Sequence, residues 1–490
     1  MKKFYALFLG LLFIVSCNKS DDNPGGPNPD PNANVTVQDF MWKAMNLWYF
    51  WQSDVPDLAD DRFSTTQEYT NFLATTADPS DFYFDRLLFN EDRFSFLNSD
   101  YTELTQNLSG ISRSNGLEFG LLLYQDSDDL FGYVRYIIPD SDASTKDISR
   151  GEIFTGVDGQ TLNISNYRDL LFGENATYTL NMADIGDSVI SPNGKEVELT
   201  KQEGLVENPV FIANTLDVNG QKVAYLMYNG FTNEFDEELN AAFGMFNAEG
   251  ATELVLDLRY NGGGSVNTSR LLASMIYGTY TQQLYIKQRW NEKLLDVFDP
   301  EDLKDYFASA TGSGSQINTM NLSRVYVLVT NSSASASELV INGLNPYIDV
   351  ILIGGTTRGK NEFSLTMVDD PGREGAPYIY TASRESQINP ENSWAIQPLV
   401  GRNENSVGFS DYTDGFMANI ELPEDLENLG VLGDPNEPLL ARALEEIDGA
   451  GTKRDFTVGT PIDLYTSSRM FQPIKDNMIL DKPLNIQFEK

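Results

Sequence analysis

Apolar residues in this chain recur in two rhythms, and the switches between them outline its elements. Val325–Val329 and Val350–Ile353 are short β-branched runs of the kind that fill a parallel sheet. Between them, Asn331–Ser337 (NSSASAS) is a turn of small and hydroxyl-bearing residues, and helical spacing follows over Ala336–Leu344. A glycine-rich loop then runs from Gly354 to Lys360. The same alternation appears upstream: strands over Lys222–Tyr228 and Leu254–Leu258, helices over Glu234–Ala248 and Asn267–Tyr277. A last helix is predicted over Glu437–Ile447. Strands alternating with helices predict an α/β sheet.

The flanking regions follow other patterns. Val35–Asn98 reads as helical, with Thr36 and Asp39 as a capping pair and Phe40, Leu47, Trp48 and Trp51 on one face. A second helix starts after Ser64, with Tyr69, Phe72 and Leu73 inward. Tyr101–Val206 is strand-rich: Leu117–Tyr124, Gly132–Ile138, Gly151–Val157, Tyr178–Met182 and a hairpin turning at Asn193-Gly194. Gly449–Lys490 is a tail without a motif, containing the apolar piece Met478–Leu480.

The N-terminus carries targeting information. Two lysines, an apolar run over Phe4–Val15 and then Ser16-Cys17 predict a signal peptide ending in a lipobox, with Cys17 lipidated. Residues 18–34 form a Pro/Gly/Asn/Asp tether with nothing to bury. Ser20-Asp21-Asp22 is similar to acidic export tags of surface lipoproteins in some Gram-negative bacteria. The expected location is therefore the cell envelope, lipid-anchored at the outer membrane. A net charge of −38 argues against nucleic-acid partners and leaves the lipid at Cys17 as the membrane contact. Asp126–Asp129 lacks a calcium-loop pattern, so neither metal nor cofactor is expected.

Composition also narrows the chemistry. The 490 residues include no histidine, and the single cysteine is Cys17. Ser-His-Asp triads, Cys-His pairs and His-ligated zinc are therefore excluded. A serine at the mouth of the Ala336–Leu344 helix meets free N–H groups and the positive end of the helix dipole, where an oxyanion is best stabilised. Its base must be something other than histidine, and lysine is the usual substitute. Lys360 ends the loop that could return over that turn.

Ser333-Ala334-Ser335-Ala336-Ser337-Glu338, followed by Gly359-Lys360, resembles the catalytic region of the C-terminal processing (tail-specific) peptidases, serine peptidase family S41. Asp257-Leu258-Arg259-Tyr260-Asn261-Gly262-Gly263-Gly264 is similar to that family's D-L-R-x-N-x-G-G segment. The resemblance implies a peptidase core of crotonase/ClpP-like α/β type. It implies Ser335 as nucleophile and Lys360, 25 residues on, as base. An oxyanion hole would come from the backbone N–H groups of Gly263 (or Gly264) and Ala336. Gly151–Gly159 and the strands before it resemble a PDZ domain, in which Leu117, Glu118, Phe119 and Gly120 would bind a peptide carboxylate. The implied organisation is signal peptide 1–16, lipidated Cys and tether 17–34, helical region 35–100, PDZ-like domain 101–206, peptidase core 207–448 and extension 449–490.

The family pattern is not complete. Pro346 stands where members often place an Asp, and Ser364 where others have a Gln. Glu338, Glu362 and Ser364 are candidates for the third member, with Glu338 favoured. The implied function is a serine endopeptidase acting on envelope proteins or peptides through an acyl-enzyme. Two other readings stay open: a non-catalytic lipoprotein binding peptides or glycans, and a hydrolase of small esters or amides. No G-x-S-x-G elbow is present to support the common lipase class.

Overall fold

The computed structural model describes residues 34–186, 188–449, 456–470, 472, 475–482, 484 and 486. The expected signal peptide, Cys17 and nearly all of the tether lie outside the described residues. Among those described, no helix is long and apolar enough to cross a membrane.

The N-terminal region is helical, beginning with α1 (Thr36–Trp48). The expected Thr36–Asp39 capping pair does not form, because the cap position is Val35. Thr36 N–H and Oγ1 instead bond Asn34 Oδ1, and Asp39 is taken by Lys43 and the Tyr69 hydroxyl. Phe40 and Trp48 are buried as their spacing predicts, while Trp51 lies past the helix end, against Tyr49, Phe50 and Phe89. The second helix, α2 (Thr66–Leu73), is capped by the Thr65 hydroxyl, which accepts the Glu68 N–H at 3.1 Å. This region also reaches the centre of the molecule: Arg93 Nη2 donates to the Gly359 carbonyl at 2.6 Å.

The β-rich domain is an antiparallel sheet of β1 (Leu117–Leu123), β2 (Leu130–Ile137), β3 (Ile153–Val157), β4 (Thr177–Gly186) and β5 (Val189–Thr200), paired in that order. It has its own core around Phe119, Val134, Phe154 and Leu180. Asn193-Gly194 is not the hairpin turn. Gly186 pairs with Val189, so the chain reverses earlier. Residues 193–195 bulge out of β5 where the register slips, and Gly194 takes φ +78° there. The local sequence meets the backbone demand of a bulge as well as that of a turn.

The core region runs through β6 (Val210–Val218), β7 (Gln221–Tyr228), α3 (Asp236–Glu249), β8 (Glu253–Asp257), β9 (Gly263–Ser265), α4 (Val266–Tyr277), β10 (Leu284–Trp290) and β11 (Lys304–Tyr306). It continues through β12 (Arg324–Val329), α5 (Ala336–Leu344), β13 (Asp349–Gly354), β14 (Glu362–Ser364), β15 (Leu399–Asn405), β16 (Ile420–Glu421) and α6 (Pro438–Asp448). The main sheet has the order β6-β7-β8-β12-β13-β16 and is parallel except at β6/β7. Side chains along it alternate between faces as a strand requires. Leu254, Leu256 and Val327 join the core formed with α3, α4 and α5, whereas Val255, Tyr326 and Leu328 pack with α6. The fold is thus mixed α/β with an N-terminal helical region.

The tail supplies what its sequence did not announce. Its β17 (Thr466–Ser467) pairs antiparallel with β1. Its β18 (Asn477–Ile479) inserts into a second sheet of order β9-β18-β14-β15-β10-β11, parallel to both neighbours. Met478, from the apolar piece, is fully buried in the main core.

Candidate active site

The site is assembled where β8 and β12 end side by side in the main sheet. After β12 the chain turns sharply, and that turn is strapped to the loop following β8. Ser333 Oγ donates to the Leu258 carbonyl, and both Ala334 N–H and Ser337 Oγ donate to the Asn261 carbonyl. Ser335 caps α5 with φ +63° and ψ −111°, a conformation that side-chain-bearing residues avoid and that the surrounding contacts must hold. Its side chain is fully buried, and Oγ has no hydrogen-bond partner among the described residues. Ala336 opens α5, where first-turn N–H groups lack intrahelical partners.

Glu338 joins the two halves of the site. Its buried carboxylate accepts the N–H groups of Ser335 (2.8 Å), Gly359 (2.6 Å) and Lys360 (2.9 Å), together with Thr357 Oγ1 (2.6 Å). Burial pushes its pKa up to about 7, and these donors work against that rise. Glu338 therefore positions the Ser335 turn and the Lys360 loop through their backbones.

Lys360 is fully buried, and burial brings its amine down to about 8; the carboxylates of Glu362, Asp476, Asp92 and Glu338 limit the fall. Nζ donates to Asn477 Oδ1 at 3.1 Å and lies 5.3 Å from the Phe94 ring centre. Ser364 Oγ donates to the same Asn477 oxygen at 2.6 Å and accepts Gln397 Nε2 at 2.9 Å. Glu362 points to Arg402 instead, at 2.9 Å. No signal in the sequence singled out Asn477 or Gln397. Ser364, already a candidate, is the residue that leads to both.

Gly263 is pressed against Ser335: a Cβ there would sit 2.7 Å from Ser335 Cβ. Its N–H donates to Asn261 Oδ1 at 2.9 Å, so receiving an oxyanion would require that bond to open. Asn261 Nδ2 in turn donates to the Tyr228 carbonyl. Arg259 is fully buried and pairs with Asp257, Glu424 and Glu437, tying this loop to the start of α6.

The structure thus brings Ser335, Lys360, Glu338, Gly263 and Ala336 together. Leu117, Glu118, Phe119 and Gly120 lie apart from them, in β1, and all four are buried. Glu118 accepts Ser468 Oγ at 2.6 Å and Arg469 Nε at 3.2 Å, while Ser467 pairs with Gly120. A cavity of 520 Å³ beside β1 is bordered by Arg113, Arg168 and Lys201 and by the carboxylates of Glu103, Glu118, Asp169 and Glu174. Among the described residues no group of three or more acidic, His or Cys side chains is placed to hold a metal ion.

The model of peptidase family S41 matches residues 222–376, and that of the peptidase S41 N-terminal domain matches residues 36–96. A chloroplastic C-terminal processing peptidase of Tetradesmus obliquus is 26% identical over 313 residues, covering 59% of this chain and 58% of that protein. A carboxyl-terminal-processing protease of Picosynechococcus is 28% identical over 176 residues, covering 35% of this chain and 38% of that one. The chain therefore spans between about a third and just over half of these relatives. A crystal structure from Bacteroides fragilis, described as an S41 protease, superposes with a TM-score of 0.63 at 27% identity, covering 84% of this chain and 97% of that one. The two S41 models thus match, in order, the N-terminal helical region and the segment that carries the serine turn and lysine loop joined through one carboxylate, and the chain resembles the serine-type peptidases of family S41.

Proposed function

We propose that this protein is a serine endopeptidase in which Ser335 is the nucleophile and Lys360 the general base. The observation that carries the reading is the double grip of Glu338, whose carboxylate holds the N–H groups of both Ser335 and Lys360. A lysine in water has a pKa of about 10.4 and stays charged at neutral pH. At about 8, a useful fraction of Lys360 is neutral under mild conditions. The neutral amine takes the Ser335 Oγ proton as Oγ attacks the peptide carbonyl. N–H groups of Ala336 and Gly263 receive the oxyanion, the latter after releasing Asn261. The ammonium then protonates the leaving amine, and water hydrolyses the acyl-enzyme.

The β-rich domain, in this reading, is PDZ-like and recognises substrates by their C-terminal tails. Two features support it. The edge of β1 accepts an added strand, here Thr466–Ser467 of the chain itself, and the neighbouring cavity is lined by Arg113, Arg168 and Lys201 together with the carboxylates of Glu103, Glu118, Asp169 and Glu174, a polar lining able to bond a peptide. Lipidation at Cys17 would hold the enzyme in the envelope, at the outer membrane of a Gram-negative cell, where exported proteins and peptides are its substrates. The core is read as crotonase/ClpP-like.

The test is labelling with a fluorophosphonate probe, followed by mass spectrometry of peptides released from unfolded envelope proteins. Labelling and cleavage that both vanish in Ser335→Ala are expected. A folded wild-type protein that takes no label and releases no peptide would overturn the assignment.

A further inference from the structure

We infer that Asn477, delivered by β18 from the C-terminal segment, is the positioning residue of Lys360, fixing its amine for proton exchange with Ser335. The inference rests on the serine–lysine reading above. A lysine side chain is flexible, and a base must be held within a narrow range of positions to be effective. Lys360 Nζ is fully buried, and Asn477 Oδ1 accepts a hydrogen bond from it at 3.1 Å. The amide is itself fixed. Its oxygen also takes Ser364 Oγ at 2.6 Å, Ser364 takes Gln397 Nε2 at 2.9 Å, and Gln397 Oε1 takes Thr366 Oγ1 at 2.7 Å. The backbone of Asn477 is fixed as well. β18 pairs with β9 so that Asn477 faces Gly263, the residue packed on Ser335. One strand thus sets the separation between nucleophile loop and base.

An amide suits this place better than a carboxylate. It accepts an N–H from the charged and the neutral amine alike and adds no charge that would keep the proton on. The charged groups facing Lys360 are largely engaged elsewhere. Glu362 is paired with Arg402, Asp476 with Arg358 and Lys475, and Asp92 takes the Tyr49 hydroxyl. Glu338 is bonded to backbone N–H groups, and the remaining neighbour is the Phe94 ring. In the reaction, Nζ gains the Ser335 proton and passes it to the leaving amine, while Asn477 only accepts.

The experiment measures the rate of fluorophosphonate labelling against pH, with thermal midpoints, for the full chain and for Asn477→Asp, Asn477→Leu and Ser364→Ala. Asn477→Asp should shift the acid limb up by about one pH unit, cut the rate at pH 7 about tenfold and regain it at higher pH. Asn477→Leu should lose about 10- to 100-fold at every pH. Ser364→Ala should fall between wild type and Asn477→Leu. Variants that keep the wild-type rate and limb, or lose rate only in step with thermal midpoint, overturn the inference. If the Asn477 variants do not fold, Ser364→Ala decides, and an unchanged profile counts against it. Wild type that never labels brings down the serine–lysine reading as well. Label that is lost in Ser335→Ala but unaffected by the Asn477 and Ser364 variants brings down this inference alone.

Discussion

Gly263 and Ser335 are packed so closely that no methyl group fits between them. A Cβ on residue 263 would lie 2.7 Å from Ser335 Cβ and 2.3 Å from the Asn477 carbonyl oxygen, and φ is +114°. Gly263→Ala should therefore combine strain with a backbone clash and destabilise by about 2–5 kcal/mol. Fluorophosphonate labelling should be abolished. Gly194→Ala is the control: it also has positive φ, but no atom lies within 4 Å, so it should cost only about 1 kcal/mol. Urea unfolding of the two variants, with equal losses, would contradict this account.

The base predicts a pH profile. In the proposed serine–lysine mechanism only neutral Lys360 accepts the serine proton, so kcat/KM should rise with pH and level off above about 8. A limb near pH 10 would mean that the amine is solvated during turnover.

The same burial carries a stability cost. In the unfolded chain the lysine keeps its proton up to about pH 10.4. In the fold it releases it near 8, so between those values the unfolded chain binds more protons and stability rises with pH. At pH 7, Lys360→Met should be inactive yet more stable by about 1–3 kcal/mol, since removing a strained functional charge relieves the fold. Differential scanning calorimetry at pH 7 and 9 checks both signs.

Glu338 accepts four hydrogen bonds with two oxygens. Glu338→Gln keeps the shape but turns an NH2 group toward N–H donors. It should leave one or two of them unsatisfied, lose about 2–5 kcal/mol and slow labelling more than tenfold. Unfolding curves and labelling rates that match wild type would show that the carboxylate is dispensable.

Arg259 is a structural hub rather than a reactant. Arg259→Met leaves the buried carboxylates of Asp257 and Glu437 without their cation, while Glu424 keeps Arg150, and should cost about 3–5 kcal/mol. At low temperature, where the variant is still folded, its labelling rate should stay within an order of magnitude of wild type. Chemical denaturation alongside labelling separates the two effects.

How much of this could be read beforehand depended on whether the information is local. The strands at Val325 and Val350, the helix at Ala336 and the turn between them follow from periodicity and small residues. The structure has the helix over the same span, Ala336–Leu344. Thr65 was a more effective cap than Thr36 because Asn34 already occupies the Thr36 N–H and hydroxyl. Asn193-Gly194 reads as a turn yet forms a bulge, because the two ask the same of a glycine. Asn477 was invisible, since one asparagine in a motif-free tail says nothing about a lysine 117 residues away. Non-local pairing of that kind is written in the sheet and not in any window of sequence.

Because β18 threads between β9 and β14, the second sheet cannot close until residues 477–479 have emerged from the ribosome and docked. A chain interrupted before residue 477 would carry its serine and its amine with the strand between their loops missing. Order in the Ser335 and Lys360 loops is thus coupled to a strand that lies more than a hundred residues further along the chain.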